Sequence, residues 1–249
     1  MAASLTTTGI PVSVRGLRKS FGGHPVLKGL DLEVRAGEIF ALMGPSGSGK
    51  SVFLRHLIGL EKPDEGDIQV AGEPISSEGI GDRFRLAMVF QSGGLLNSLT
   101  VAENVGLYLS EHRLKPAADI EKIVLEKLAL VELGPEDAGK YPSELSGGMK
   151  KRVAIARALV IEPQLILFDE PTSELDPLVA LTIGREILNL NQRIGATTVV
   201  VTHDRDLAFG IADRIAFLLE GEIVALGTPD EIRAHPHPLL QRFLKAEFR

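Results

Sequence analysis

The run Gly44-Pro45-Ser46-Gly47-Ser48-Gly49-Lys50-Ser51 constrains this chain more than any other feature. It fits the pattern G-x-x-x-x-G-K-[ST], with an apolar run over residues 39–43 before it and a helical pattern over residues 50–60 after it. Without side chains at Gly44, Gly47 and Gly49, the backbone can curl so that successive N–H groups face one anion. The helix that starts there, with Val52 in its first turn, adds its positive end. Lys50 is expected to reach the β- and γ-phosphates of a nucleotide, and the Ser51 hydroxyl to ligate Mg²⁺.

The chain around this loop reads as α/β. Apolar runs at residues 39–43, 86–90, 165–168 and 197–201 predict buried parallel strands separated by helices. The helix over residues 50–60 puts Leu54, Leu57 and Ile58 on one face, with Gly59 and Pro63 ending it. Residues 101–109, 117–130 and 147–160 show helical spacing with almost no strand signal, which predicts a helical subdomain inserted in the sheet. Residues 12–14, 32–34 and 215–225 predict antiparallel strands beside the parallel ones, with Glu220-Gly221 at a tight hairpin turn. Thr228 and Glu231 have capping-box spacing.

Two carboxylates follow the third apolar run, in Leu165-Ile166-Leu167-Phe168-Asp169-Glu170. Asp169 is placed to hold Mg²⁺ beside the γ-phosphate. Glu170 is placed to polarise an attacking water, as its general base or close to it. Leu145-Ser146-Gly147-Gly148-Met149 starts a helix with Ser146 as N-cap. Its two glycines let backbone approach an anion, or simply leave the helix start flexible.

The chain resembles an ATP-binding cassette ATPase over nearly its whole length. The phosphate loop, Leu-Ser-Gly-Gly, Leu-Phe-Asp-Glu and a later His203 stand in that family's order and at its intervals. The resemblance implies a P-loop NTPase (RecA-like) parallel-sheet core with an antiparallel β subdomain and an inserted α-helical subdomain. It divides a single domain over residues 11–249 into a core (11–91 and 161–235), a helical subdomain (92–160) and a tail (236–249). ATP and Mg²⁺ are the implied ligands. Gln91 then sits at the water and the Mg²⁺, and His203 contacts the γ-phosphate and holds Glu170. Phe21 stacks on adenine, and Asp176 lies at a dimer seam. Two chains would pair head to tail, each ATP resting on one chain's loop and the other chain's Ser146, Gly147 and Gly148.

Each assignment has a plainer alternative. His203 ends an apolar strand, Gln91 can be a polar strand end, and Phe21 can pack into the core. Lys150-Lys151-Arg152 reads as a solvated helix face rather than a phosphate or lipid contact. The residues 92–100 suit the groove that takes a permease helix in this family, or serve as a helix lead-in.

Met149, where the family usually has Gln, is one feature similar to the lipid-transporting Mla/Mce-type ATPases. The others are Phe90-Gln91-Ser92-Gly93-Gly94 and the closing Ala234-His235-Pro236-His237-Pro238-Leu239 with Arg242-Phe243-Leu244. That implies a permease and a Mce-type lipid-binding partner, at the cytoplasmic face of the inner (plasma) membrane. Glu174 is the second departure, because that position is usually small.

Composition narrows the alternatives. A formal net charge of −6 without a long basic block argues against a nucleic-acid partner. The absence of cysteine excludes disulfides, cysteine metal sites and a cysteine nucleophile. No signal sequence is read in residues 1–10 and no run spans a bilayer, so a soluble chain is expected, held at a membrane by another subunit. A non-transport cassette ATPase, for cofactor assembly or nucleic-acid work, is the rival from another class. A nucleotide-binding module without turnover fits less well, since Lys50, Asp169, Glu170 and His203 are all present.

Overall fold

The computed structural model describes residues 9–76 and 79–245, so expectations for residues 1–8 and 246–249 lie outside it. The first elements are β1 (Val12–Phe21), β2 (His24–Val34), β3 (Ile39–Met43), α1 (Lys50–Leu57), β4 (Glu65–Val70), β5 (Glu73–Pro74) and α2 (Ile80–Arg83). Then come β6 (Leu86–Val89), α3 (Val101–Glu111), α4 (Ala117–Leu130), α5 (Gly147–Leu159), β7 (Leu165–Asp169) and α6 (Pro177–Ile194). The last are β8 (Thr197–Thr202), α7 (Arg205–Ile211), β9 (Arg214–Leu219), β10 (Glu222–Gly227), α8 (Pro229–Ala234) and α9 (Pro238–Leu244).

Two sheets form. One is antiparallel, in the order β2-β1-β4-β5; the other has the order β10-β9-β3-β8-β7-β6. In the second, β3, β6, β7, β8 and β9 are mutually parallel, and β10 alone runs antiparallel. This corrects the expectation for residues 215–225, half of which join the parallel set. The hairpin does fall at Glu220-Gly221, where both residues have positive φ (49° and 83°) as a tight primed turn requires.

Strand alternation sorts the side chains onto two faces. Phe40, Leu42, Leu165, Leu167, Val199 and Val201 face α1 and the antiparallel sheet. There Phe53, Leu54 and Leu57 of α1 are fully buried, each contributing about 2 kcal/mol from removal of apolar surface from water. Ile166, Phe168 and Val200 face the other way, against α5 and α6. On that side α3, α4 and α5 pack as a helical group between β6 and β7 in the chain. Its start is fixed by a capping box, in which Thr100 accepts from the Glu103 N–H and Glu103 accepts from the Thr100 N–H.

Helix α1 ends at Leu57, a turn earlier than expected, because Gly59 takes a positive φ of 74°. The larger correction concerns Lys150-Lys151-Arg152, which is not a solvated face. Lys151 is buried, and Arg152 places NH2 2.5 Å from Oε1 of the buried Glu186 on α6.

Candidate active site

Parallel register gathers the predicted residues at one edge of the sheet. Met43 pairs with Thr202 and Asp169 with Val201, so β3, β7 and β8 end level. Gly44, Glu170 and His203 follow those ends directly, at the carboxyl edge where open parallel sheets take ligands.

The phosphate loop is built by close contact as much as by flexibility. At Gly44 a Cβ would overlap the Leu218 carbonyl oxygen. At Gly49 a Cβ would lie 2.8 Å from Leu27 Cδ2, and φ is 106°, which a residue other than glycine adopts at a cost. Helix α1 then starts with no side-chain cap and no acidic residue in its first turn, leaving its N–H groups directed at the loop. The Lys50 ammonium donates to the Gly44 and Pro45 carbonyls at 2.9 and 3.1 Å, spanning the loop's base. The buried Ser48 hydroxyl has no hydrogen-bond partner among the described residues.

The catalytic candidates converge on this loop. Ser51 Oγ donates to Asp169 Oδ1 at 2.8 Å. Burial pushes the Asp169 carboxyl above its usual range, and the Ser51 hydrogen bond works against that. Glu170 has φ 46°, an unusual value for a non-glycine residue, and it turns the carboxylate back over the loop. Its Oε1 lies 3.3 Å from Lys50 Nζ. Its Oε2 accepts from the His203 N–H at 3.1 Å and lies 2.9 Å from His203 Nδ1. Beyond this, Thr172 donates to Asp204 at 3.0 Å, tying the turn after β7 to the one after β8.

Ser46, Gly47, Gly49, Lys50, Ser51, Val52, Gln91, Glu170 and His203 line one cleft of about 300 Å³, joined by Val26 from β2, which sequence reading missed. Phe21 is not among the lining residues: it is half-exposed at the end of β1, with Lys19 Nζ 5.2 Å from its ring centre. Ser146, Gly147 and Gly148 do not line the cleft either. Ser146 caps α5 by accepting from the Met149 N–H at 3.3 Å. Its glycines have a local reason to be glycine, since a Cβ on Gly148 would come within 2.7 Å of Val179 on α6. Asp176 caps α6, accepting from the Leu178 and Val179 N–H groups at 3.1 Å.

Comparison with known proteins decides the family. A family profile described as "ABC transporter" matches residues 27–173, more than half of the chain. The chain belongs to the ABC transporter family. It is an ATP-binding subunit of such a transporter, and it hydrolyses ATP. It is 40% identical over 240 residues to the probable ribonucleotide transport ATP-binding protein mkl of Mycobacterium leprae, covering 95% of this chain and 69% of that one. It is 42% identical over 228 residues to the sulfate/thiosulfate import ATP-binding protein CysA of Caulobacter vibrioides, covering 90% and 67%. Among solved structures, the ATP-binding cassette MJ0796, described as a dimeric post-hydrolysis state bound to ADP and Pi, is 35% identical. It superposes with a TM-score of 0.79 over 88% of this chain and 98% of that one. The cbiO1 protein from Clostridium perfringens, part of the transporter complex cbiONQ, gives a TM-score of 0.82 at 30% identity, covering 94% of each chain. Both likenesses agree with the α/β cassette fold read from the sequence.

Proposed function

We propose that two copies of this chain close head to tail over two ATP molecules and drive a membrane permease that moves phospholipid within the cell envelope. The observation that carries the pairing is the separation of two anion-binding elements. The cleft around Lys50 and Glu170 is complete on its own side, and the Ser146 helix start lies outside it. A second copy would bring its Ser146, Gly147 and Gly148 to the γ-phosphate, and the dimeric state of MJ0796 supports this reading. The core then comprises residues 11–91 and 161–235, the helical subdomain 92–160 and the tail 236–249. Phe21 stacks on adenine from outside the phosphate cleft, and Asp176 stands near the seam.

Within one chain, the loop N–H groups, Ser48 and Lys50 hold the phosphates, the Ser48 hydroxyl having no hydrogen-bond partner among the described residues. Ser51 and Asp169 offer hard oxygen ligands suited to Mg²⁺, with Gln91 completing the set. When bound, Mg²⁺ neutralises charge on the β- and γ-phosphates. Glu170 takes a proton from water as the water oxygen attacks the γ-phosphorus and the bond to ADP breaks. His203 holds Glu170 in place through the two contacts to Oε2.

The permease would dock beside the segment after Gln91. There Arg157 donates to the Gly93 and Gly94 carbonyls at 2.8 and 2.7 Å, and Asn104 brackets Leu96. Phe90, Leu96 and Tyr108 remain exposed around it. No helix among the described residues is long and apolar enough to cross a membrane, so attachment at the cytoplasmic face of the inner (plasma) membrane would fall to the permease.

A second reading has its own support: the names of the relatives in Mycobacterium leprae and Caulobacter vibrioides point to ribonucleotide or sulfate as cargo. Affinity capture of the full chain from detergent-solubilised membranes separates the readings. The phospholipid reading expects an integral membrane permease and a Mce-type lipid-binding protein, with lipid extractable from the complex. A permease with a soluble anion-binding protein instead would support the second reading. Recovery with soluble partners alone would contradict transport.

A further inference from the structure

Lys151 stands in the first turn and a half of α5, the helix that begins at Ser146. Its side chain turns inward, and the residue is 6% exposed. Lys151 Nζ donates to the backbone carbonyl of Gln91, in the turn after β6. The same ammonium lies 3.5 Å from Ser173 Oγ, in the turn after β7. That second turn is closed by a hydrogen bond from the Ser173 N–H to the Glu170 carbonyl at 3.1 Å. The first turn is packed on the same helix, where a Cβ on Gly93 would lie 3.5 Å from Ala154 Cβ and from the Lys150 carbonyl oxygen.

The charge around the ammonium is one-sided. Burial lowers the Lys151 ammonium below the usual lysine value, and Glu174, Asp169 and Glu170 in that order act against it. Glu174 itself is held at a positive φ of 65° in the turn that Ser173 opens. Burying a lysine costs free energy, and both of its hydrogen-bond partners here lie in turns that carry cleft residues, Gln91 in one and Glu170 at the start of the other.

We propose that Lys151 is a positioning residue for hydrolysis, tying the Gln91 and Ser173 turns to α5 and offsetting the carboxylates of Asp169, Glu170 and Glu174. The inference rests on the roles proposed for Gln91 and Glu170. It concerns contacts within one chain, so it stands or falls apart from the head-to-tail pairing.

The test is steady-state ATP hydrolysis by the full chain carrying Lys151→Met, with rates normalised to the folded fraction. The expected result is a kcat lower by about tenfold with KM for ATP within about twofold, because misplacement of the reacting groups slows the step without removing ground-state contacts. Lys151→Arg, which keeps the charge and the donors, is expected to restore at least about half of the wild-type kcat. Combined with Gln91→Ala, Lys151→Met is expected to add less than its full tenfold, since part of its effect passes through the Gln91 turn. Adding Glu174→Gln to Lys151→Met is expected to raise kcat, while Glu174→Gln alone does not. Where Met lowers the melting temperature, Lys151→Gln replaces it with the same expected split. Wild-type kcat in either neutral variant, a change confined to KM, or full additivity with Gln91→Ala would overturn the proposal. If Ser146→Arg left hydrolysis intact, the sandwiched pairing would fail and the Lys151 result would still be readable.

Discussion

Ser48 separates residues kept for the fold from residues kept for a ligand. It is buried and its hydroxyl has no partner among the described residues, an arrangement that costs free energy in the protein alone. Replacing it with alanine removes that cost along with a donor to the phosphates. Ser48→Ala is therefore expected to leave the melting temperature unchanged or raised, while KM for ATP increases several-fold. A lower melting temperature with unchanged KM would make Ser48 a structural residue. The neighbouring glycines answer to different causes. Gly44 is required by the Leu218 carbonyl, and Gly49 by its φ of 106° and by Leu27. Glu170 shows the same economy of local geometry: its positive φ aims one oxygen at Lys50 and the other at His203.

Between elements, the join of α5 to α6 combines apolar packing with an ion pair. Arg152 on α5 reaches Glu186 on α6 and, at 3.3 Å, Glu132 just past α4. Burial pushes the Glu186 carboxyl up to about 7, with Arg152 opposing the shift and Glu132 adding to it. Because the folded value lies above the unfolded one, the folded state binds more protons between them, and this group's contribution to stability is lost as pH rises through about 7. Glu186→Gln, which removes the buried charge and keeps the shape, is expected to raise the melting temperature by about 3 °C or more near pH 8. That gain should shrink toward zero near pH 5. A gain independent of pH would contradict the assignment.

This join was not legible in the sequence, and the reason is instructive. Three basic residues in a row look solvated, but Lys151 shares a helix face with Ala154, Ile155 and Ala158, all of which are buried. The helical period carried the signal, and the charge masked it. Strands with strong apolar runs, such as β3, β7 and β8, were legible because both of their faces are buried. The antiparallel β4 was not, since its first three residues are exposed and polar. Helix α6 was not singled out either, although Asp176-Pro177 opens it as an N-cap with proline at the first position. Apart from Val26 the residues that line the cleft were legible, because order along the chain fixes which strand ends meet, whereas Gly44, Pro45, Ser48 and Asp169, also expected there, are not among its lining residues. Val26 escaped because it reaches the cleft from the other sheet.

For the whole molecule, the central claim is that one chain supplies half of an ATP site and a second copy supplies the rest. Gly147 and Gly148 have a packing role within one chain, against Leu175 and against Val179 of α6, so their presence alone does not establish an intermolecular contact. The deciding measurement is the mass in solution of the Glu170→Gln variant with and without Mg²⁺ and ATP, by light scattering after size exclusion. Glu170→Gln keeps the phosphate loop and removes the assigned base, so it is expected to bind ATP, lose turnover and persist as a closed dimer. The expected result is a monomer without nucleotide and a dimer with ATP, and a monomer in both conditions once Ser146→Arg is added, with ATP still bound. A monomer with ATP bound, or a dimer indifferent to Ser146→Arg, would contradict the account.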